Sequence, residues 1–208
     1  ALYRLELASV KLSLLEDEVP AAWKHIEELA LRHASVPHEA GFWCGLARLG
    51  HLTSLVVDDV LGQPSAALRS TLHTYQRLAV LWLSGYSEPA IPQLPGMLTS
   101  LWLDNLTDLR ALPPAPGLRS LSIHCAETLQ DWPSELSVMA QLTELRLREC
   151  GLRDLPAPLA ALPALQVLDL GMNCLRELPQ LAGVGSLRTL LLDGNSLKRV
   201  PKVLGGGA

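Results

Sequence analysis

Leu98-Thr99-Ser100-Leu101-Trp102-Leu103, followed by Leu118-Arg119-Ser120-Leu121-Ser122-Ile123, decides how this chain folds. Apolar residues at the first, fourth and sixth places make an L-x-x-L-x-L frame whose second half alternates in and out, as a short strand does. Working outward, the frame recurs before this stretch at Leu2-Leu5-Leu7, Ile26-Leu29-Leu31, Leu52-Leu55-Val57 and Leu78-Leu81-Leu83. After it come Leu142-Leu145-Leu147, Leu165-Leu168-Leu170 and Leu187-Leu190-Leu192. The nine starts are spaced 24, 26, 26, 20, 20, 24, 23 and 22 residues apart. One copy cannot bury its own leucines, but stacked copies can.

A frame of this kind at a period of roughly 20–29 residues is the leucine-rich repeat signature. The expected fold is an α/β solenoid, a horseshoe with a parallel sheet on its concave face and short helical or extended returns on the convex side. The composition agrees: 48 leucines and one Phe in 208 residues suit a repeated aliphatic layer better than a globular core of mixed sizes. One domain spans residues 1–208, in three stretches. Residues 1–77 hold longer, irregular repeats, 78–117 short ones and 118–208 regular ones. In the first stretch Pro37 to Gly50 reads as a short helix, and Ser65 to Leu72 as another with Ser65 as its N-cap. In the second, the prolines of 90–95 and 111–116 exclude α-helix and favour extended returns, which implies flatter curvature there.

A net charge of −4 gives no electrostatic case for nucleic acid, and no apolar run is long enough to span a membrane. The chain lacks an initiating Met, begins inside a repeat and ends at Gly205-Gly206-Gly207-Ala208 without a polar cap. It therefore reads as a fragment with flanking domains missing, and as a monomer. Cys44, Cys125, Cys150 and Cys174 are scattered singly rather than paired, which fits a reducing compartment.

At the short returns the chain becomes more specific. Ile91-Pro-Gln-Leu-Pro-Gly-Met-Leu98 and Leu112-Pro-Pro-Ala-Pro-Gly-Leu118 resemble the L-P-x-L-P repeats of bacterial type III secreted effectors of the IpaH/SspH and YopM kind. The repeats from Leu118 through Trp132-Pro133 and beyond are more similar to the longer ones of XopL-like plant-pathogen effectors. The resemblance spans roughly residues 78–204. It implies a target-recognition arm that selects a host protein inside the host cell, while a separate E3 ubiquitin-ligase domain acts on it. The C-x-D of the IpaH/SspH-class ligase does not occur here, so this stretch is a binding module and not itself an enzyme. L-P-x-x-L returns also occur in cytosolic leucine-rich repeat scaffolds of signalling, which is the alternative parent.

The residue between the second and third frame positions faces out at each strand centre. In order it is Glu6, Ala30, Val56, Trp82, Trp102, Ser122, Arg146, Asp169 and Leu191. Adjacent strands lie roughly 4.8 Å apart, so Trp82 and Trp102 should stand side by side, with Val56, Ala79 and Val80 around them. Paired exposed tryptophans mark a binding hot spot, a surface covered by another domain, or stacking on one another alone. The flanking row reads Ala8, Arg32, Asp58, Ser84, Asp104, His124, Arg148, Gly171 and Asp193. Asp58, Asp59 and Asp104 border the Trp patch, with Ser122 and His124 beside it and Arg119, Arg146 and Arg148 beyond. Two readings stay open: an acidic-apolar-basic order that orients a partner, or a solvated face on which Arg148, Glu144 and Glu149 pair locally.

Asn173 and Asn195 occupy the asparagine place after the strand, where the side chain can bond turn backbone that has no ladder partner. Earlier repeats put Val10, Ala34, Val60, Tyr86, Leu106, Ala126 and Cys150 there. No cofactor or metal site is expected. His33, His38, Glu39 and Cys44 match no zinc spacing, and Gly183-Val-Gly185 precedes a strand rather than a helix. His124 and Cys125 are neighbours, but strand alternation should point them to opposite sides. Asn105-Leu106-Thr107 is a glycosylation sequon with meaning only in a secreted eukaryotic chain.

Overall fold

The computed structural model describes residues 2–12, 19–35, 40–58, 68, 70–85, 91, 93–106, 112–126, 136, 138–155, 162–178 and 185–198. Nine strands form one parallel sheet in sequence order: β1 (Arg4–Ala8), β2 (Glu28–Arg32), β3 (Ser54–Asp58), β4 (Val80–Ser84), β5 (Ser100–Asp104), β6 (Ser120–His124), β7 (Glu144–Arg148), β8 (Val167–Asp169) and β9 (Thr189–Leu191). This is a leucine-rich repeat solenoid, as the period requires. The register matches the frame without a slip. Leu5, Leu29, Leu55, Leu81, Leu101, Leu121, Leu145, Leu168 and Leu190 are successive Cα partners. A slip of one residue would expose the leucine layer and bury the polar one, and burial of the frame makes that prohibitive.

The inward layer is dry from β2 to β8, where the central leucines are at most 1 % exposed. Leu5, Leu7 and Leu190, on strands paired on one side only, and Leu192 just past β9 are partly buried against the same core. The N-terminal end adds an aromatic wedge. A helix, α1 (Ala40–Ala47), lies within the Pro37–Gly50 stretch expected to be helical and carries Phe42 and Trp43, both fully buried. Phe42 meets Trp43 edge-to-face at 5.3 Å and Trp23 at 6.5 Å. The longer returns of the first repeats leave room that leucines alone do not fill. Ser65 lies outside the described residues, but Leu68, Ser70 and Thr71 are helical and run into a 3-10 turn at Leu72–Thr74. Tyr75 is buried there, donates its hydroxyl to the Trp43 carbonyl at 2.9 Å, and has its ionisation pushed up by that burial. The described parts of the short returns, 93–97 and 112–117, contain no helix.

Each strand must then turn away from the sheet, and the chain solves this with left-handed backbone. Ser9, His33, Gly85, Asn105, Cys125, Glu149, Met172 and Gly194 all have φ between 49° and 69°. Six of these are not glycine. Their N–H groups keep the ladder going: His33 donates to Asp58, Asn105 to His124, Cys125 to Arg148 and Glu149 to Gly171. These shared backbone bonds hold a conformation that side chains alone disfavour by about 1–2 kcal/mol per residue. At the other strand end, the Thr53, Thr99 and Thr143 hydroxyls donate to the carbonyls of Glu27, Ala79 and Arg119 in the preceding repeat.

The asparagine place behaves as the sequence implies. The Asn173 amide oxygen accepts the N–H groups of Cys150 at 3.0 Å and Leu152 at 3.2 Å. Its nitrogen donates to the carbonyls of Leu147, Leu170 and Gly171. Asn195 repeats the arrangement, taking the Leu175 N–H and donating to Leu170, Leu192 and Asp193. Cys150 is a weaker version: its Sγ receives the Ala126 N–H and donates to the Ile123 carbonyl at 3.6 Å. Burial pushes its thiol up to about 12, so it stays protonated and structural. Ala34, Leu106 and Ala126 fill the place with buried apolar atoms, whereas Val10 is exposed. Val60 and Tyr86 lie outside the described residues.

Candidate functional site

The concave face carries three rows of side chains, one for each outward place on a strand. The central row falls as expected: Glu6, Ala30, Val56, Trp82, Trp102, Ser122, Arg146, Asp169 and Leu191 are consecutive Cα partners. Trp82 and Trp102 are direct neighbours, both half-buried, with Val56 and Val80 also half-buried beside Trp82. The Arg32 guanidinium lies 5.2 Å from the Trp82 ring centre, within cation-π range. Trp82 Nε1 is buried and bonds to no acceptor among the described residues. Both indoles thus keep part of their surface exposed.

The flanking row does not form an acidic-apolar-basic gradient. Its charges are paired locally, Arg32 and Arg148 across strands and Arg146 with Glu144 along its own strand. Arg32 bridges Glu6 and Asp58, each at 3.0 Å. Arg146 contacts Glu144 at 2.7 Å, and Glu144 also accepts from Ser120. Arg148 reaches Asp169 at 3.0 Å and Asp193 at 2.8 Å. Arg119 is exposed and makes no ion pair among the described residues, while Asp59 lies outside them. Of the two readings, local pairing describes Arg146 and Arg148. Parallel strands set side chains of adjacent repeats one strand spacing apart, so opposite charges in successive repeats meet before they meet a partner.

The Arg148 bridge depends on a glycine. A Cβ on Gly171 would stand 2.7 Å from Arg148 Cζ and 2.8 Å from Asp193 Oδ1, too close for either. The hydrogen bond from Arg148 holds the exposed Asp193 carboxyl below its ordinary range. That contribution exists above the unfolded value of 3.8 and fades as pH falls through the lower folded value. Asp169 is 4 % exposed, and among the described residues Arg148 and the Gly171 N–H are what satisfies its charge. Gly171→Ala is expected to evict the guanidinium and cost about 1–3 kcal/mol in chemical denaturation. The same change in an Arg148→Ala background should cost far less. Equal costs in both backgrounds would mean that the glycine serves something other than the bridge.

His124 and Cys125 depart from expectation. Strand alternation would send them to opposite faces, but β6 ends at His124 and Cys125 has φ 53°. The left-handed turn swings the thiol back, leaving Sγ 3.6 Å from His124 Nδ1. Nδ1 also meets Asp104 Oδ1 at 3.0 Å, Nε2 meets Glu149 Oε1 at 3.2 Å, and Sγ lies 3.4 Å from Glu149 Oε2. Partial burial pulls the His124 pKa down, but the hydrogen bonds to Asp104 and Glu149 and their charges outweigh it, and the net shift is upward. Glu149 is shifted down, first by its bond to His124. Glu149 as a member of this cluster could have been found only by counting the left-handed turns as part of the strand row. His33 lies at the equivalent turn of β2, while His38 and Glu39 are outside the described residues.

The fold and this face define the class: a leucine-rich repeat solenoid with an open concave sheet. The family model described as Leucine rich repeat matches residues 140–197, the part with the regular asparagine turns. A stretch of 93 residues, 44% of the chain, is 33% identical to part of Leucine-rich repeat-containing G-protein coupled receptor 5 of Rattus norvegicus. Another of 109 residues, 51% of the chain, is 30% identical to part of Disease resistance protein RPS4B of Arabidopsis thaliana. The chain spans only 10% and 9% of the length of these two relatives. Among solved structures, a leucine-rich repeat protein of Leptospira interrogans matches with TM-score 0.66 and 22% identity, over 92% of this chain and 48% of that one. The internalin InlF of Listeria monocytogenes matches with TM-score 0.57 and 20% identity, over 95% and 62%. At these identities the structural matches speak for the fold alone. Together with the repeat they support the leucine-rich repeat assignment.

Proposed function

We propose that this chain is a protein-recognition module whose concave face grips its partner around Trp82 and Trp102. The observation that carries the reading is their direct pairing in register on β4 and β5. Two adjacent indoles on an open sheet supply rigid apolar area at low entropic cost, and Trp dominates binding hot spots. Val56 extends the apolar strip, and the paired charges of Arg32, Asp58, Asp104 and His124 form a polar rim beside it. The described residues contain no helix long and apolar enough to cross a membrane.

In its finer form, the module is the target-selecting arm of a bacterial type III effector acting in the host cytoplasm, with a separate domain transferring ubiquitin to the captured host protein. The short proline-rich returns of residues 78–117 and the longer repeats after them support this parentage. The test compares capture from host-cell lysate by the chain and by a Trp82→Ala/Trp102→Ala variant of matched melting temperature. Loss of one specific partner, by about 100-fold in affinity, is expected from two hot-spot truncations. Undiminished capture of the same partner would remove the Trp pair from the site. No capture from host-cell lysate, with a Trp-dependent partner retained from bacterial lysate in a parallel run, would overturn the effector reading alone.

A further inference from the structure

We propose that Asp104, His124 and Cys125 form a binding site for a divalent transition-metal ion, with Zn²⁺ the natural occupant. The three ligand atoms, one carboxylate oxygen, one imidazole nitrogen and one sulfur, all lie within 4.8 Å of one another. Asp104 Oδ1 is 3.0 Å and Cys125 Sγ 3.6 Å from His124 Nδ1. Zinc bonds of about 2.0–2.3 Å at a tetrahedral angle place neighbouring ligand atoms about 3.4–3.6 Å apart, so small side-chain shifts suffice. The mix of thiolate, imidazole and carboxylate suits zinc and is poor for calcium or magnesium, which take oxygen ligands.

Three further features make this more than a chance encounter of surface groups. The backbone of all three residues is fixed by the sheet: Asp104 and His124 are Cα partners on β5 and β6, and the Cys125 N–H is bound to the Arg148 carbonyl. Secondly, His124 has its other nitrogen on Glu149 at 3.2 Å, the carboxylate–imidazole arrangement that fixes ring orientation and tautomer around a metal. Thirdly, the left-handed backbone at Cys125 brings its thiol back to the side that carries His124. On binding, the Cys125 thiol gives its proton to solvent and Nδ1 offers its lone pair, while Nε2–H remains on Glu149. Three protein ligands leave a fourth tetrahedral position that water or a partner side chain can fill. Filling this site does not require a partner on the Trp pair, although Asp104 and His124 also stand in the polar rim beside it.

The experiment is titration of the metal-free chain with Zn²⁺ by calorimetry, and with Co²⁺ as a spectroscopic stand-in. One equivalent should bind at micromolar or tighter affinity, raise the melting temperature, and with cobalt give a thiolate charge-transfer band and tetrahedral d–d bands. Cys125→Ser should abolish the charge-transfer band, and His124→Ala should abolish binding. Glu149→Gln, a positioning change, should weaken binding by about 10-fold or more. Cys174→Ser, an exposed thiol elsewhere, should change nothing. Each variant's circular dichroism without metal shows that it folds. Absence of saturable binding, or a charge-transfer band that survives Cys125→Ser, would overturn the proposal.

Discussion

Replacing Asn173 with alanine is expected to lower stability by about 3–5 kcal/mol, measured by equilibrium denaturation. The side chain is 5 % exposed and satisfies the Cys150 and Leu152 N–H groups. Removing it strands two buried donors, at about 1–3 kcal/mol each. The three carbonyls that lose its amide nitrogen add to the cost. Asn195→Ala is the internal control. Asn195 is only part-buried and relieves one N–H, that of Leu175, so about 1–2 kcal/mol is expected. Equal losses at the two positions would show that the asparagine acts through turn propensity and not through buried donors. Because repeats touch only their neighbours, the loss in Asn173→Ala should also appear first in amide exchange of β7 and β8.

Trp43→Ala is the second large effect, about 3–5 kcal/mol, concentrated in the first three repeats. Trp43 is fully buried and packs edge-to-face against Phe42, so its removal leaves a cavity in the core beside α1. Trp43→Phe separates shape from polarity. The Trp43 Nε1 is buried with no acceptor among the described residues, so the indole carries an unpaired donor into the core. Phenylalanine removes that donor while keeping most of the apolar volume. Its two effects oppose one another, and the net change should lie within about 1 kcal/mol of the parent. A loss as large as that of Trp43→Ala would mean that the Nε1 group is satisfied in solution. Hydrogen exchange in β7 to β9 should be unaffected by either change, since those strands share no contact with α1.

Much of the concave face was legible from the leucine frame alone. A parallel sheet in sequence order has one register that keeps every leucine inside, so naming the frame names the neighbours: Trp82 with Trp102, Ser122 with Arg146. The asparagine turns were legible for the same reason, since their place is counted from the frame. The electrostatics were only half legible. The rows could be written down, but whether Arg148 faces solvent or folds onto Asp169 and Asp193 depends on Gly171 leaving space, and spacing does not reveal contact.

By itself, then, the sequence determined the solenoid, its nine strands, their order and the inward layer, because a hydrophobic frame at fixed period has one way to bury itself. Tertiary structure decided what happens beyond the last strand residue. There the backbone turns left-handed at Cys125 and Glu149, and the rule of alternating sides stops. That is why Asp104, His124, Cys125 and Glu149, from three successive repeats, converge on one edge of the groove. Alternation is a property of extended backbone, and a single residue with positive φ resets it.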